Sequence, residues 1–225
     1  MKIDHIYCIN LERSVERRAK MEIEFKKADI EVEIFKACDA KAIGRTGGYG
    51  CNQTHFWIYQ DILEKGYKNA LIFEDDVILN SEFKKQIEEL EEPSEWDLLY
   101  FSRIAPIVLD KPSKSFTLGK CLSTAAYIVS AGAAKKLAHF SPDDLNYEID
   151  NFLTVVPLKT YISNDKTIAY SDMPYVGEIG FGIERFHKEW LIYFARYVDA
   201  KFGGLIALML MSFLVKFLIR KWAGI

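Results

Sequence analysis

Three consecutive carboxylates, Glu74-Asp75-Asp76, follow directly on the apolar run Ala70-Leu71-Ile72-Phe73, and a second apolar run, Val77-Ile78-Leu79, comes after them. Negative charges this close repel one another, and partial burial at the end of a strand adds a desolvation penalty. A cation would offset both. Oxygen-only ligands suit a hard divalent ion, Mg²⁺ or Mn²⁺, rather than Zn²⁺. Ligands of open α/β sheets bind just outside the carboxyl ends of the strands. A metal and an anionic substrate are therefore expected to meet here. The plain alternative for the same residues is a solvated turn between two strands.

The elements around the acids fit such a site. An uninterrupted apolar run reads as a strand buried on both faces, as in a parallel sheet covered by helices. Before it come a strand over 3–11, a helix over 15–28 with Ser14 as N-cap, and a strand over 31–36. A Gly-rich loop spans 41–50, and a helix over 51–65 stops at Gly66. After the acids come a charged helix over 81–92, strands over 97–102 and 123–130, a helix over 131–139, a short helix after Asp150 and a short strand within 160–170. Residues 103–120 read as a loop or hairpin. This alternation marks an open α/β sheet.

Composition narrows the classes. The chain has 225 residues, 50% hydrophobic and 27% charged, enough for one α/β domain with a full core. A net charge of -3, with no Lys/Arg stripe, gives no sign of a nucleic-acid binder, and none is expected as a partner. Cys8, Cys38, Cys51 and Cys121 are scattered without a C-x-x-C pair, which argues against a zinc site and against a disulfide scaffold. The chain is expected to open on a strand and to carry no signal peptide. Between Phe202 and Ile219 the only charge is Lys216, and Arg220-Lys221-Trp222 follow. That length approaches a bilayer span. Residues 1–182 are thus expected to form the globular domain and 183–225 an apolar helical tail. Membrane association through 202–222, as an anchor or an in-plane helix, would hold the domain on the cytoplasmic face. A helix buried against the domain or a partner is the other reading of the tail.

Several blocks, in order, carry a family resemblance. They are Ile6-Tyr7-Cys8-Ile9-Asn10-Leu11-Glu12-Arg13-Ser14 with Arg17-Arg18; Phe35-Lys36-Ala37-Cys38-Asp39-Ala40; Gly50-Cys51-Asn52-Gln53-Thr54-His55; Leu71-Ile72-Phe73-Glu74-Asp75-Asp76-Val77; Thr124 to Leu137; and Glu148-Ile149-Asp150-Asn151-Phe152-Leu153. Together they resemble glycosyltransferase family 25, whose members include lipopolysaccharide galactosyltransferases and collagen-modifying galactosyltransferases. The resemblance covers roughly residues 3–172. Ala40 stands where the family pattern has Gly, Thr54 where it has Ser, and Glu74 takes the first place of the D-x-D spacing.

The resemblance implies a GT-A fold, Rossmann-like with an open mixed sheet. It implies inverting transfer from a nucleotide-sugar donor, most often UDP-galactose, with Mn²⁺ (or Mg²⁺) bound through the D-x-D-like acids. The acceptor would be a hydroxyl of a glycan, glycolipid or glycoprotein. On this reading Asp76 ligates the metal. Asp75 or Glu74 binds it directly, through water, or holds the donor ribose. Asp150 is the candidate base for the acceptor hydroxyl; it could equally be a further metal or acceptor ligand, or a helix N-cap. Asn10 would bond the nucleotide or close a turn. Arg17 would meet a uracil carbonyl or a phosphate, or be a surface cation. Asp39 is a uridine-side candidate or a turn residue, and His55 reaches the donor or the metal, or is structural. Trp57, Trp96, Tyr100 and Phe101 are expected in the core. The alternative function is a non-catalytic relative that binds a glycan or a nucleotide sugar.

Overall fold

The computed structural model of the chain describes residues 1–102, 106–110, 114–145 and 148–171. These fall in the first of two units, Met1–Pro174. The expected apolar tail over 183–225 and its membrane association lie outside the described residues. Among the described residues, no helix is long and apolar enough to cross a membrane.

The chain begins with β1 (His5–Asn10), α1 (Val15–Lys27), β2 (Glu33–Lys36) and α2 (Gly47–Lys65). Then come β3 (Asn69–Glu74), β4 (Val77–Leu79), α3 (Phe83–Glu89), β5 (Leu98–Tyr100), β6 (Ile107–Val108) and β7 (Phe116–Lys120). The described part closes with β8 (Ala126–Ser130), α4 (Ala131–Leu137), α5 (Ile149–Val155), β9 (Thr160–Ser163) and β10 (Ala169–Ser171). Eight strands form one sheet in the order β2-β1-β3-β8-β5-β9-β7-β6, and β4 pairs with β10 separately. The sheet is mixed. β3 runs parallel to β1 but antiparallel to β8, so its two-sided burial does not come from an all-parallel sheet.

What buries β3 is a helical layer on each face. Ala70, Leu71, Ile72 and Phe73 are all fully buried. Strand alternation sends Ala70 and Ile72 into a cluster with Phe56, Ile62, Leu137 and Phe152, which come from α2, α4 and α5. Leu71 and Phe73 enter the opposite cluster with Met21, Phe25, Phe83 and Ile87 from α1 and α3. β3 is therefore an interior strand of a three-layer sandwich, and whatever follows Phe73 emerges between two helical layers.

Three local expectations need correction. α2 starts at Gly47, inside the expected loop, because Thr46 caps it: its Oγ1 accepts from Tyr49 N at 3.2 Å. Ser14 holds the N-cap position of α1 without a side-chain cap bond. Trp57 is 40% exposed instead of buried, since it lies on the outer face of α2. Gly66 does stop α2, at φ 72°, where its N–H bonds the Ile62 and Leu63 carbonyls.

Candidate active site

Strand alternation also divides the acids. Glu74 continues the face of Ala70 and Ile72, toward α2. Asp75 continues the face of Leu71 and Phe73, toward α1. On that side Arg17 of α1 holds the turn: its Nη2 is 2.7 Å from Asp75 Oδ1 and 3.4 Å from Asp76 Oδ2. Its Nε donates to the Asp75 carbonyl at 3.3 Å. Asn10, buried at the end of β1, donates from Nδ2 to Asp75 Oδ2 at 2.6 Å and to the Ser14 carbonyl at 3.3 Å. Arg17 is therefore no free surface cation, and the Asn10 amide donors bind protein groups.

The consequences for Asp75 and Asp76 differ. Burial raises the Asp75 pKa, against the pull of Arg17 and the Asn10 hydrogen bond, yet both of its oxygens have partners. Burial first, and the Glu74 charge second, push Asp76 up to about 6. Its Oδ1 is buried with no hydrogen-bond partner. A buried carboxylate oxygen without a partner is expensive. The chemistry that would satisfy it is a hard cation, so the residues present fit an Mg²⁺ or Mn²⁺ ion at Asp76.

Glu74 has a different set of neighbours. Thr124 Oγ1 donates to its Oε1 at 2.5 Å. His55 Nε2 lies 3.9 Å from the same oxygen, an ion-pair distance beyond hydrogen-bond reach. Burial opposes the charge on Glu74, but His55, Thr124 and Arg17 outweigh it and hold its pKa below the usual carboxylate value. The His55 ring is fixed from behind by Tyr127: Nδ1 is 2.8 Å from the Tyr127 hydroxyl, which lies 2.7 Å from the Tyr59 hydroxyl. All three side chains are fully buried.

Asp150 lies in the first turn of α5, while Glu148 takes the N-cap position, which removes the N-cap reading of Asp150. Its Oδ1 accepts from Asn151 N at 2.6 Å. Burial pushes the Cys51 thiol well up, followed by the charges of Glu74, Asp150 and Asp76, so Asp150 acts on the same neighbourhood as the acidic turn. Asp39 pairs instead with Arg13, whose hydrogen bond is the main cause of its lowered pKa. The fold thus brings Asn10, Arg17, His55, Glu74, Asp75 and Asp76 together, with Asp150 electrostatically close. Asp39 stands in a pair of its own.

Cys51, Tyr59, Thr124 and Tyr127 were not among the candidate site residues. Cys51 and His55 are four apart on a helix, hence on one face, a signal that was available. The two tyrosines look like ordinary core residues until the sheet brings them to α2. Tyr127→Phe removes the hydroxyl that both His55 and Tyr59 use. It should lower stability by roughly 2–3 kcal/mol, since two buried groups lose their partner. Tyr59→Phe, which breaks one bond, should lower it by about 1 kcal/mol. Urea unfolding curves check this; equal midpoints for Tyr127→Phe and wild type would rule the network out as a stabilising unit.

The family model of glycosyltransferase family 25 (LPS biosynthesis protein) matches residues 3–46 and 45–116. A glycosyltransferase 25 family member of Drosophila pseudoobscura pseudoobscura is 29% identical over 229 residues, 80% of this chain and 36% of its own. Procollagen galactosyltransferase 1 of Danio rerio is 26% identical over 204 residues, 73% of this chain and 34% of its own. A probable inactive glycosyltransferase 25 family member 3 of Rattus norvegicus is 27% identical over 190 residues, 69% of this chain and 33% of its own. The chain thus spans about a third of the length of these curated relatives.

Proposed function

Because the chain belongs to glycosyltransferase family 25, we propose that it transfers a sugar from a UDP-sugar to an acceptor hydroxyl, with inversion, on a GT-A-type sheet. The observation that carries this is the unpartnered, buried Asp76 Oδ1 just past the carboxyl end of the interior strand β3. A divalent ion, Mn²⁺ or Mg²⁺, bound there would neutralise the diphosphate leaving group. Asp76 supplies the free oxygen for it. Asp75 holds Arg17 and Asn10, and through them the turn that orients Asp76. Arg17, 35% exposed, adds a positive charge on the side where a diphosphate would sit. Asp150 takes the acceptor proton at a carboxylate oxygen as the new bond forms on the face opposite the diphosphate. The acceptor would be a glycan, glycolipid or glycoprotein. Galactose is the first donor sugar to try, from the relative in Danio rerio whose name includes it.

The test is metal-dependent UDP release from a panel of UDP-sugars by the full chain, compared with Asp76→Ala. Release from one sugar, lost on chelation and in the variant, is the expected result. Release indifferent to both would exclude the acidic turn from the chemistry. A second reading, a non-catalytic relative that binds a glycan or nucleotide sugar, draws on one observation: the Arg17 guanidinium already offsets charge on Asp75 and Asp76 without a metal. It predicts UDP-sugar binding, or none, with no UDP release from any donor.

A further inference from the structure

Glu74 faces away from Arg17's partners and into α2, where it meets two residues of another chemistry. One ligand atom each from Cys51, His55 and Glu74 lie within 4.8 Å of one another. The sequence shows the pair Cys51 and His55 one helical turn apart on α2, but the third member comes from β3 and only the fold supplies it. The scattered cysteines that argued against zinc therefore do not settle the question: one of them has acquired its partners through the fold.

The state of His55 points to a ligand. The side chain is fully buried. Its Nδ1 is engaged by the Tyr127 hydroxyl at 2.8 Å, so the ring cannot turn without breaking that bond. Its Nε2 is buried and has no hydrogen-bond partner. A buried ring nitrogen left so is costly. A histidine with one nitrogen fixed by a protein group and the other directed at soft and anionic donors is arranged as metal-ligating histidines are.

We propose that Cys51 Sγ, His55 Nε2 and a Glu74 carboxylate oxygen bind a transition-metal ion of borderline softness, Zn²⁺ above all. Thiolate and imidazole select such ions, whereas Mg²⁺ and Mn²⁺ prefer oxygen alone. The site is therefore chemically distinct from the hard-cation position at Asp76, and it does not depend on the transferase reading. Loading exchanges the Cys51 thiol proton, released to solvent, for the ion. Three protein ligands leave the fourth tetrahedral position for water or a bound oxygen. Tyr127 and Tyr59 act behind the ligand set, fixing the imidazole.

Co²⁺ titration of the metal-stripped full chain tests this. One equivalent should produce a near-ultraviolet thiolate-to-cobalt band together with intense visible bands of tetrahedral Co²⁺, all displaced by Zn²⁺. Cys51→Ser should lose the ultraviolet band, while Asp76→Ala keeps it. His55→Gln should weaken Co²⁺ binding at least tenfold, with its fold checked by thermal melting. Folded wild type without a thiolate band would overturn the proposal, and wild type alone suffices for that result. A band that survives in Cys51→Ser would also overturn it, by moving the thiolate to Cys8, Cys38 or Cys121. Loss of the band in Asp76→Ala would merge this ion with the oxygen site and refute a separate one. Absence of UDP release affects none of these outcomes.

Discussion

Asp76→Asn should make the metal-free protein more stable at neutral pH. Burial and the Glu74 charge lift the Asp76 pKa from 3.8 to about 6 in the fold, while in the unfolded chain it returns to roughly 4. Between those values the folded state binds more protons than the unfolded one, so stability falls as pH rises through that window. Above it the full penalty applies. A shift of this size corresponds to about 3 kcal/mol, and the Asp76 side chain is buried enough, at 15% exposure, for the conversion to stand. The opposing pull of Arg17 is already inside that balance. In chelator near neutral pH, Asp76→Asn should therefore melt roughly 6–12 °C above wild type. The gain should fade as pH drops from about 6 toward 4 and be absent below that, where Asp76 is protonated in both states. A gain unchanged at low pH would assign it to packing and not to the charge. Added Mn²⁺ should reverse the ranking, because an ion bound only by the folded wild type stabilises it by mass action and leaves the variant unmoved. The residue that weakens the empty fold is the one a cation would need.

How much of this was legible beforehand follows from which interactions are local. The apolar run into Glu74-Asp75-Asp76 is a local signal, and it located both a strand buried on two faces and the acidic turn correctly. The hairpin of β6 and β7 and the stop of α2 at Gly66 were legible for the same reason. The start of α2 was not: Gly47, Gly48 and Gly50 read as loop residues, since glycine disfavours helices by about 1 kcal/mol each. The Thr46 cap, together with the close approach of Cys38 and Ala40 at Gly50, overrides that preference. The role of Arg17 was hidden too, because its partners lie far along the chain and meet it only through the parallel pairing of β1 with β3. Glu74 turning to His55 while Asp75 turns to Arg17 follows from strand alternation, but only once the layers on each face are known. His55 illustrates the limit most sharply. Its sequence context separates neither a ligand from a core residue nor one tautomer from the other. Tyr127, on a strand antiparallel to β3, is what fixes the ring.

Gly50→Ala should destabilise the fold although it improves the helix. Position 50 is helical with no unusual backbone angle, so the exchange alone should favour α2 by about 1 kcal/mol. The space decides otherwise. A Cβ there would lie 2.5 Å from the Cys38 carbonyl oxygen and 2.9 Å from Ala40 Cβ, and the nearer obstacle is backbone. The segment must move, and Thr54 ties it down: Oγ1 accepts from Cys38 N at 2.9 Å and donates to the Gly50 carbonyl at 2.7 Å. Overpacking of this kind costs about 1–3 kcal/mol, and the two Thr54 bonds contribute about 1 kcal/mol each if they break. The net expectation is a loss of about 3 kcal/mol, a drop in Tm of roughly 6–12 °C. Gly48 supplies the control, since its Cβ would meet Glu148 Oε1 at 3.6 Å, an ordinary contact. Gly48→Ala should be neutral or gain up to about 1 kcal/mol. The two substitutions are chemically identical and stand in the same helix, so opposite signs isolate the close approach of residues 38–40. Equal stabilities for the two variants would mean that no such approach exists. The damage in Gly50→Ala should also reach function, because Cys51 and His55 follow that glycine on the same helix. Its Co²⁺ affinity should fall with its stability, while Gly48→Ala retains both.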